Sequence, residues 1–283
     1  MKKIVVIGGG TMGNGIAHVC AMSGYSVKLV DANEQALDRA MILIEKNLDR
    51  MLAKEKITQA QKLETLERLH PALSISQSVL EADLIIEAVP EILSLKESVL
   101  READSVAPEN AILASNTSSI SITKLASMTS RSDRFIGMHF FNPVPVMKLV
   151  EVVRGLDTSQ RTVDAIMKTA EFLGKTPVEV QDSPGFVSNR VLMPMINEAI
   201  FCLQEGVGNA EQVDEVMKLG MAHPMGPLRL ADFIGLDVCL NILNVLYEGF
   251  KDPKYRPSPL LVKMVDAGKL GDKTGQGFYL HGK

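Results

Sequence analysis

Apolar residues fall in short runs through the first two thirds of the chain and at helical spacing through the last third. Residues 3–7 (KIVVI) are a β-branched run that stops at Gly8-Gly9-Gly10. Helical character follows from Thr11 to Ser23, with Gly24 as a natural stop. A second apolar run, 26–30, ends in Asp31. Strand, turn, helix and strand in that order predict parallel strands joined by a right-handed crossover. Asn33 is a good N-cap for a long helix whose Leu37, Met41, Ile44, Leu48 and Met51 share one stripe, and Thr58 caps a shorter helix running to Leu69. Together these make a helical hairpin longer than an ordinary crossover. Further buried strands are expected at 83–88, 111–114 and 134–137, with a helix over 94–106 between the first two. Strands at 147–153 and 178–180 close the sheet.

Past Ser183-Pro184-Gly185 the pattern turns to helix alone, with helices expected over 186–204, 209–220, 227–249 (broken near Gly235) and 258–266. A boundary near Ser183 separates a sheet domain, 1–183, from an all-α domain, 184–283.

Composition narrows the classes. A chain of 283 residues buries a sizeable core without a staple, and 46% hydrophobic against 23% charged residues is a globular balance, not a disordered one. Lys plus Arg count 30 against 34 acids, a net charge of -4, which argues against global attraction to nucleic acid or an anionic membrane. Cys20, Cys202 and Cys239 have no C-x-x-C spacing, so no disulfide framework and no metal site is expected. They read as buried free thiols in a reducing compartment. The first apolar run is too short for a signal peptide, and no stretch approaches the ~18–20 apolar residues of a membrane span. A soluble, cytoplasmic protein is the expectation.

Four features carry candidate chemistry. Gly8-x-Gly10-x-x-Gly13 lies between a strand and a helix, where its glycines allow a tight turn, a close approach to pyrophosphate and close helix–strand packing. Alone it is a weak signal, but Asp31 follows 18 residues after Gly13, as a carboxylate binding a ribose diol requires. That carboxylate would repel a 2′-phosphate, which favours NAD over NADP. The expected fold is therefore α/β: a Rossmann-like, mostly parallel sheet domain with a helical-hairpin insertion, followed by an all-α C-terminal domain.

In Met138-His139-Phe140-Phe141-Asn142-Pro143, with Lys148 to Glu151 following, the two prolines at 143 and 145 mark a bend. Strands folding back antiparallel about position 145 make His139 and Glu151 cross-strand neighbours. A carboxylate beside an imidazole fixes its tautomer, as a general base needs, although a satisfied structural histidine fits the pattern too. Of the other histidines, His70 and His281 look like surface residues, His18 packs on the first helix and His223 begins a loop. Ser115-Asn116-Thr117-Ser118-Ser119 ends a strand, where α/β sheets place ligands. The alternative is a capping loop for a helix near 121–126. No G-x-S-x-G elbow surrounds Ser118, so hydrogen bonding suits it better than nucleophilic attack. Finally, Lys46, Arg50 and Lys54 share a helix face, with Lys56 close by: a solvated stripe, or an anchor for a phosphorylated tail.

Read together, GGGTMGNGIA (8–17), SNTSSI (115–120), GMHFFNPVPVMKLVEVV (137–153), DSPGFVSNR (182–190), HPMGPLRLAD (223–232) and KTGQGFY (273–279) resemble the short-chain (S)-3-hydroxyacyl-CoA dehydrogenase family. The resemblance spans nearly the whole chain and is nearest to bacterial members acting on 3-hydroxybutyryl-CoA. It implies an NAD-dependent enzyme that interconverts 3-hydroxybutyryl-CoA and acetoacetyl-CoA, in fatty-acid β-oxidation or in butyrate and butanol fermentation. It implies His139 as general acid/base, Glu151 as its partner, and Ser118 and Asn189 as groups holding the reacting oxygen. NAD contacts fall to Gly8, Gly10, Thr11, Met12 and Gly13, with Asp31, Glu91, Lys96 and Asn116. Arg50 and Lys54 fall on coenzyme A phosphates, although relatives often carry Lys where Arg50 stands, and the loop 88–91 varies within the family.

Two other readings stand beside it. Dehydrogenases of free 3-hydroxy acids share the sheet-then-helix order but use a catalytic lysine and lack the His–Glu pair. A non-catalytic NAD-binding relative would be expected to lose a base or its partner. The many apolar positions of the helical part, Val191 to Met193, Met195, Ile196, Phe233, Leu236, Val238 and Leu240 among them, suggest a homodimer face, as does the family.

Overall fold

A computed structural model of the chain describes residues 1–282, and the chain divides into two compact units, Met1–Ser183 and Pro184–Lys283. The first unit runs β1 (Lys3–Ile7), α1 (Thr11–Met22), β2 (Ser26–Val30), α2 (Glu34–Ala53), α3 (Gln59–Glu67), β3 (Leu69–Ala72), α4 (Ile75–Ser78) and β4 (Leu84–Glu87). It continues α5 (Leu93–Val106), β5 (Ile112–Ser115), α6 (Ile122–Ala126), β6 (Phe135–Phe140), β7 (Leu149–Arg154), α7 (Gln160–Phe172) and β8 (Thr176–Gln181).

These strands form one 8-stranded sheet in the order β3-β2-β1-β4-β5-β6-β7-β8. The first six are parallel, β7 is antiparallel to β6, and β8 is parallel to β7. Strands β4, β5 and β6 are buried along their whole length, which is why they read as continuous apolar runs. Successive crossovers leave β1 in opposite directions, toward β3 and toward β6, so the order reverses between β1 and β4. In open sheets of this kind ligands bind there, outside the carboxyl ends of the strands.

The hairpin helices form as their pattern dictates. The Asn33 side chain accepts from Ala36 N at 3.2 Å, and Thr58 and Gln61 close a capping box. Leu37, Ile44 and Leu48 of α2 are buried in the core, each contributing about 1.5–3 kcal/mol relative to exposure. Besides the one-turn helix α4, which the sequence reading did not include, two elements depart from it. The second hairpin helix ends at Glu67, and Leu69–Ala72 pairs with β2 as an edge strand, the position in a sheet that tolerates Pro71. Between Val153 and Val178 the sequence reading places no element. There α7 forms, capped by Ser159 and burying Val163, Ile166 and Ala170 at helical spacing.

The second unit is helical: α8 (Ser188–Gln204), α9 (Ala210–Gly220), α10 (Pro227–Ile234), α11 (Leu236–Phe250) and α12 (Pro259–Asp266). Gly235, at φ 102, separates α10 from α11 in a conformation side chains rarely adopt. Among the described residues no single helix is long and apolar enough to cross a membrane, and the α10–α11 pair is bent by 99°. Met193, Ile196 and Leu236, expected on a dimer face, pack inside this unit's own core, whereas Val191, Phe233 and Val238 stay exposed.

Candidate active site

The first component is the β1–α1 turn. A Cβ at Gly13 would stand 1.7 Å from Gly8 O, and one at Gly8 would stand 2.7 Å from Ala88 O, so both positions exclude a side chain. Gly10, the N-cap of α1, opens to free space, and no side chain caps the helix. A helix N-terminus left uncapped at a glycine suits a pyrophosphate. At the end of β2, Asp31 accepts from Gly9 N at 2.7 Å and from Asn33 N at 2.9 Å, which fixes the carboxylate at the rim. A crevice of about 820 Å³ opens between the β1 and β4 loops, lined by Gly8, Gly10, Thr11, Met12 and Asp31 on one side and Ala88 to Pro90 on the other. Its position, its glycines and the Asp31 carboxylate at the end of β2 fit an adenine dinucleotide with a free ribose diol.

The second component is the loop after β5. Glu91 Oε1 accepts from Thr117 Oγ1, from Ser118 N at 3.0 Å, from Ser119 N at 3.1 Å and from Ser119 Oγ at 2.8 Å, gathering the loop around one carboxylate. Lys96 is 1% exposed and lies between Glu87 at 2.7 Å and Glu91 at 3.2 Å; Ser115 Oγ donates to Glu87 at 2.6 Å. Burial pushes the Glu91 carboxyl up, but Lys96 and the Thr117 and Ser119 hydroxyls outweigh it and hold it below the usual range. Glu91 and Lys96 thus shape the β4 and β5 loops. Asn116 Oδ1 accepts from Phe140 N at 2.9 Å and ties the loop to β6. The sequence reading missed Glu87. The available signal was a charged residue closing an otherwise apolar buried strand.

The third component is the β6–β7 hairpin, which pairs His139 with Glu151 in antiparallel register. His139 Nδ1 lies 2.8 Å from Glu151 Oε2, with the histidine 7% and the glutamate 3% exposed. An ionised carboxylate only accepts, so Nδ1 carries the hydrogen and the neutral ring keeps its lone pair on Nε2. Phe141 packs on the imidazole, ring centroids 4.6 Å apart.

Other candidates lie on further elements. Arg50 and Lys54 are exposed at the far end of α2, roughly 24 Å along the helix from its Asp31 end. Lys54 is the C-cap beyond the last turn, so only Lys46 and Arg50 lie within the helix. Asn189 is buried in the first turn of α8, in the second unit. His281 is not a surface residue: Nε2 meets Asp232 at 2.7 Å and Nδ1 meets Asp272 at 3.2 Å. His18 is fully buried on α1 with neither ring nitrogen hydrogen-bonded, and burial, helped by Lys175, pushes its pKa down to about 4. Cys20 and Cys239 are buried free thiols, but Cys202 is only partly buried.

The family model "3-hydroxyacyl-CoA dehydrogenase, NAD binding domain" matches residues 3–183, and "3-hydroxyacyl-CoA dehydrogenase, C-terminal domain" matches residues 185–281. A "Probable 3-hydroxybutyryl-CoA dehydrogenase" of Bacillus subtilis is 54% identical over 282 residues, 99% of this chain and 97% of that protein. The 3-hydroxybutyryl-CoA dehydrogenase of Bradyrhizobium diazoefficiens is 51% identical over 279 residues, 99% of this chain and 95% of that one. The crystal structure of an (S)-3-hydroxybutyryl-CoA dehydrogenase from Ralstonia eutropha superposes with a TM-score of 0.98 at 52% identity, covering 100% of both chains. With both of its parts matched in order, this chain belongs to the 3-hydroxyacyl-CoA dehydrogenase family, NAD-dependent oxidoreductases.

Proposed function

We propose that the chain interconverts (S)-3-hydroxybutyryl-CoA and acetoacetyl-CoA, with His139 as the proton carrier. The observation that supports this most is the buried His139–Glu151 pair at the carboxyl end of β6. That is the same edge that carries the glycine loop after β1, three strand spacings or roughly 14 Å away. NAD, when bound, accepts the hydride from C3 of the hydroxyacyl group or returns it to the ketone. Nε2 of His139 takes the 3-hydroxyl proton during oxidation and gives it back during reduction. Glu151 holds the ring in the required tautomer and offsets the charge of the imidazolium that forms. Ser118 and Asn189 hydrogen-bond the oxygen as its charge changes. Asp31 takes the ribose diol, and Glu91, Lys96 and Asn116 border the cofactor. Arg50 and Lys54 serve the coenzyme A phosphates. The protein works as a cytoplasmic homodimer with no nucleic-acid or membrane partner, and the exposed Val191, Phe233 and Val238 of the helical unit fit a subunit face.

The test is the rate of NADH consumption with acetoacetyl-CoA, run beside NADPH and beside free acetoacetate. Fast turnover of the thioester with NADH alone supports the reading. Turnover of the free acid would replace it with a free-acid dehydrogenase, and NADH binding without turnover of either would remove the substrate assignment.

A further inference from the structure

The turn that carries the chain from β6 to β7 is held at two places. Lys175, the residue before β8, is 9% exposed, and its Nζ donates to Met147 O at 2.8 Å and to Val144 O. Beside it, Thr176 N donates to Lys148 O at 2.7 Å. The turn also rests on α1 at Gly15, where a Cβ would stand 2.9 Å from Val144 Cβ. Within the turn, Val146 N and Met147 N both donate to Pro143 O, at 2.9 and 3.0 Å.

Among the described residues no carboxylate pairs with Lys175; its titratable neighbours are His18 and Cys20 of α1. Burying an ammonium against neutral carbonyls is costly, and burial lowers its pKa. What that cost secures is a pair of carbonyls inside the only connection between the two strands that set His139 opposite Glu151. In an antiparallel pair a slip of one residue turns a side chain to the other face, so the connecting turn decides whether the imidazole meets the carboxylate.

We propose that Lys175 is a positioning residue for the reaction: it fixes the Pro143–Met147 turn and thereby the His139–Glu151 geometry. This inference rests on the reading of His139 as proton carrier.

The experiment compares Lys175→Met, Lys175→Arg and Glu151→Gln with the unaltered enzyme, measuring kcat, KM for NADH and the pH profile of kcat/KM with acetoacetyl-CoA. Lys175→Met is expected to lower kcat by about tenfold to hundredfold, the scale of an ångström-sized misplacement. KM for NADH should stay close to its original value, and the pH profile should move in the direction Glu151→Gln moves it. Lys175→Arg, which keeps the donors, should recover most of the loss. An unaltered kcat and pH profile in folded Lys175→Met, whatever its melting temperature, overturns the proposal. Should Lys175→Met fail to fold, Gly15→Ala displaces the same turn from the α1 side and must move the same profile; an unmoved profile there overturns it too. If Glu151→Gln itself leaves rate and profile unchanged, the His139 reading has failed, a result distinct from the failure of Lys175 alone.

Discussion

Two imidazole–carboxylate pairs, one in each unit, share almost the same geometry: His139 to Glu151 at 2.8 Å and His281 to Asp232 at 2.7 Å. Both carboxylates are buried. Their surroundings differ. Asp232 also accepts from Phe278 N and Tyr279 N, each at 2.9 Å, and the second nitrogen of His281 faces Asp272. A ring held at both nitrogens by carboxylates acts as a fastener. His139 is held at Nδ1 by a register partner at the carboxyl edge of a parallel sheet, where ligands bind. A short His–carboxylate distance therefore does not mark chemistry by itself; the edge of the fold at which it sits does.

The comparison breaks most easily at His139. His139→Gln should lower kcat by about 10²–10⁴-fold while leaving NADH affinity and the melting temperature nearly unchanged. A kcat within a few-fold of the original would place the proton transfer elsewhere. His18, the imidazole without a partner, supplies the next contrast. Its pKa drops from 6.5 to about 4 on folding, so between those values the unfolded chain takes up the proton first. Its contribution is present above pH 6.5 and is lost as the pH falls toward 4, by about 3 kcal/mol. His18→Leu should flatten that part of a urea-unfolding series, and an unchanged slope would contradict the burial argument. The smallest effect is expected at the fastener. His281→Asn should cost about 2 kcal/mol of stability through the charged hydrogen bonds it removes, with turnover per folded molecule unaltered. A lost kcat there would erase the distinction between the two pairs.

Much of this was legible in the sequence because it follows from local rules. The glycine turn, the strands at β1, β2, β4 and β5, and the cross-strand partnership of His139 and Glu151 about the Pro143–Pro145 bend all come from short-range spacing. The same is true of the break at Gly235. What was missed depends on distant partners. The Glu87–Lys96–Glu91 cluster gathers the end of β4, the loop after it and α5, and nothing in the spacing says that Glu91 will reach across to Thr117, Ser118 and Ser119. The edge strand β3 was overlooked because four residues containing a proline carry no alternation, and pairing with β2 decides their conformation. Helix α7 did carry a periodic stripe and a Ser159 cap, and went unread between two more conspicuous strands. His281 was misjudged because its buried partner, Asp232, lies 49 residues back and is reached only by the return of the chain.

That return has a consequence for how the protein is made. Gly277 passes so close to Asp232 that a Cβ would stand 2.0 Å from its Oδ1, and the donors to this fully buried carboxylate are Phe278, Tyr279 and His281. Until those residues leave the ribosome, Asp232 has to stay hydrated, and α10 has nothing to seal it. The sheet unit, complete at Ser183, leaves the ribosome roughly 5–20 s earlier at ordinary rates of synthesis. The nascent chain is thus a finished sheet followed by a helical half that stays open until residues 277–281 have emerged.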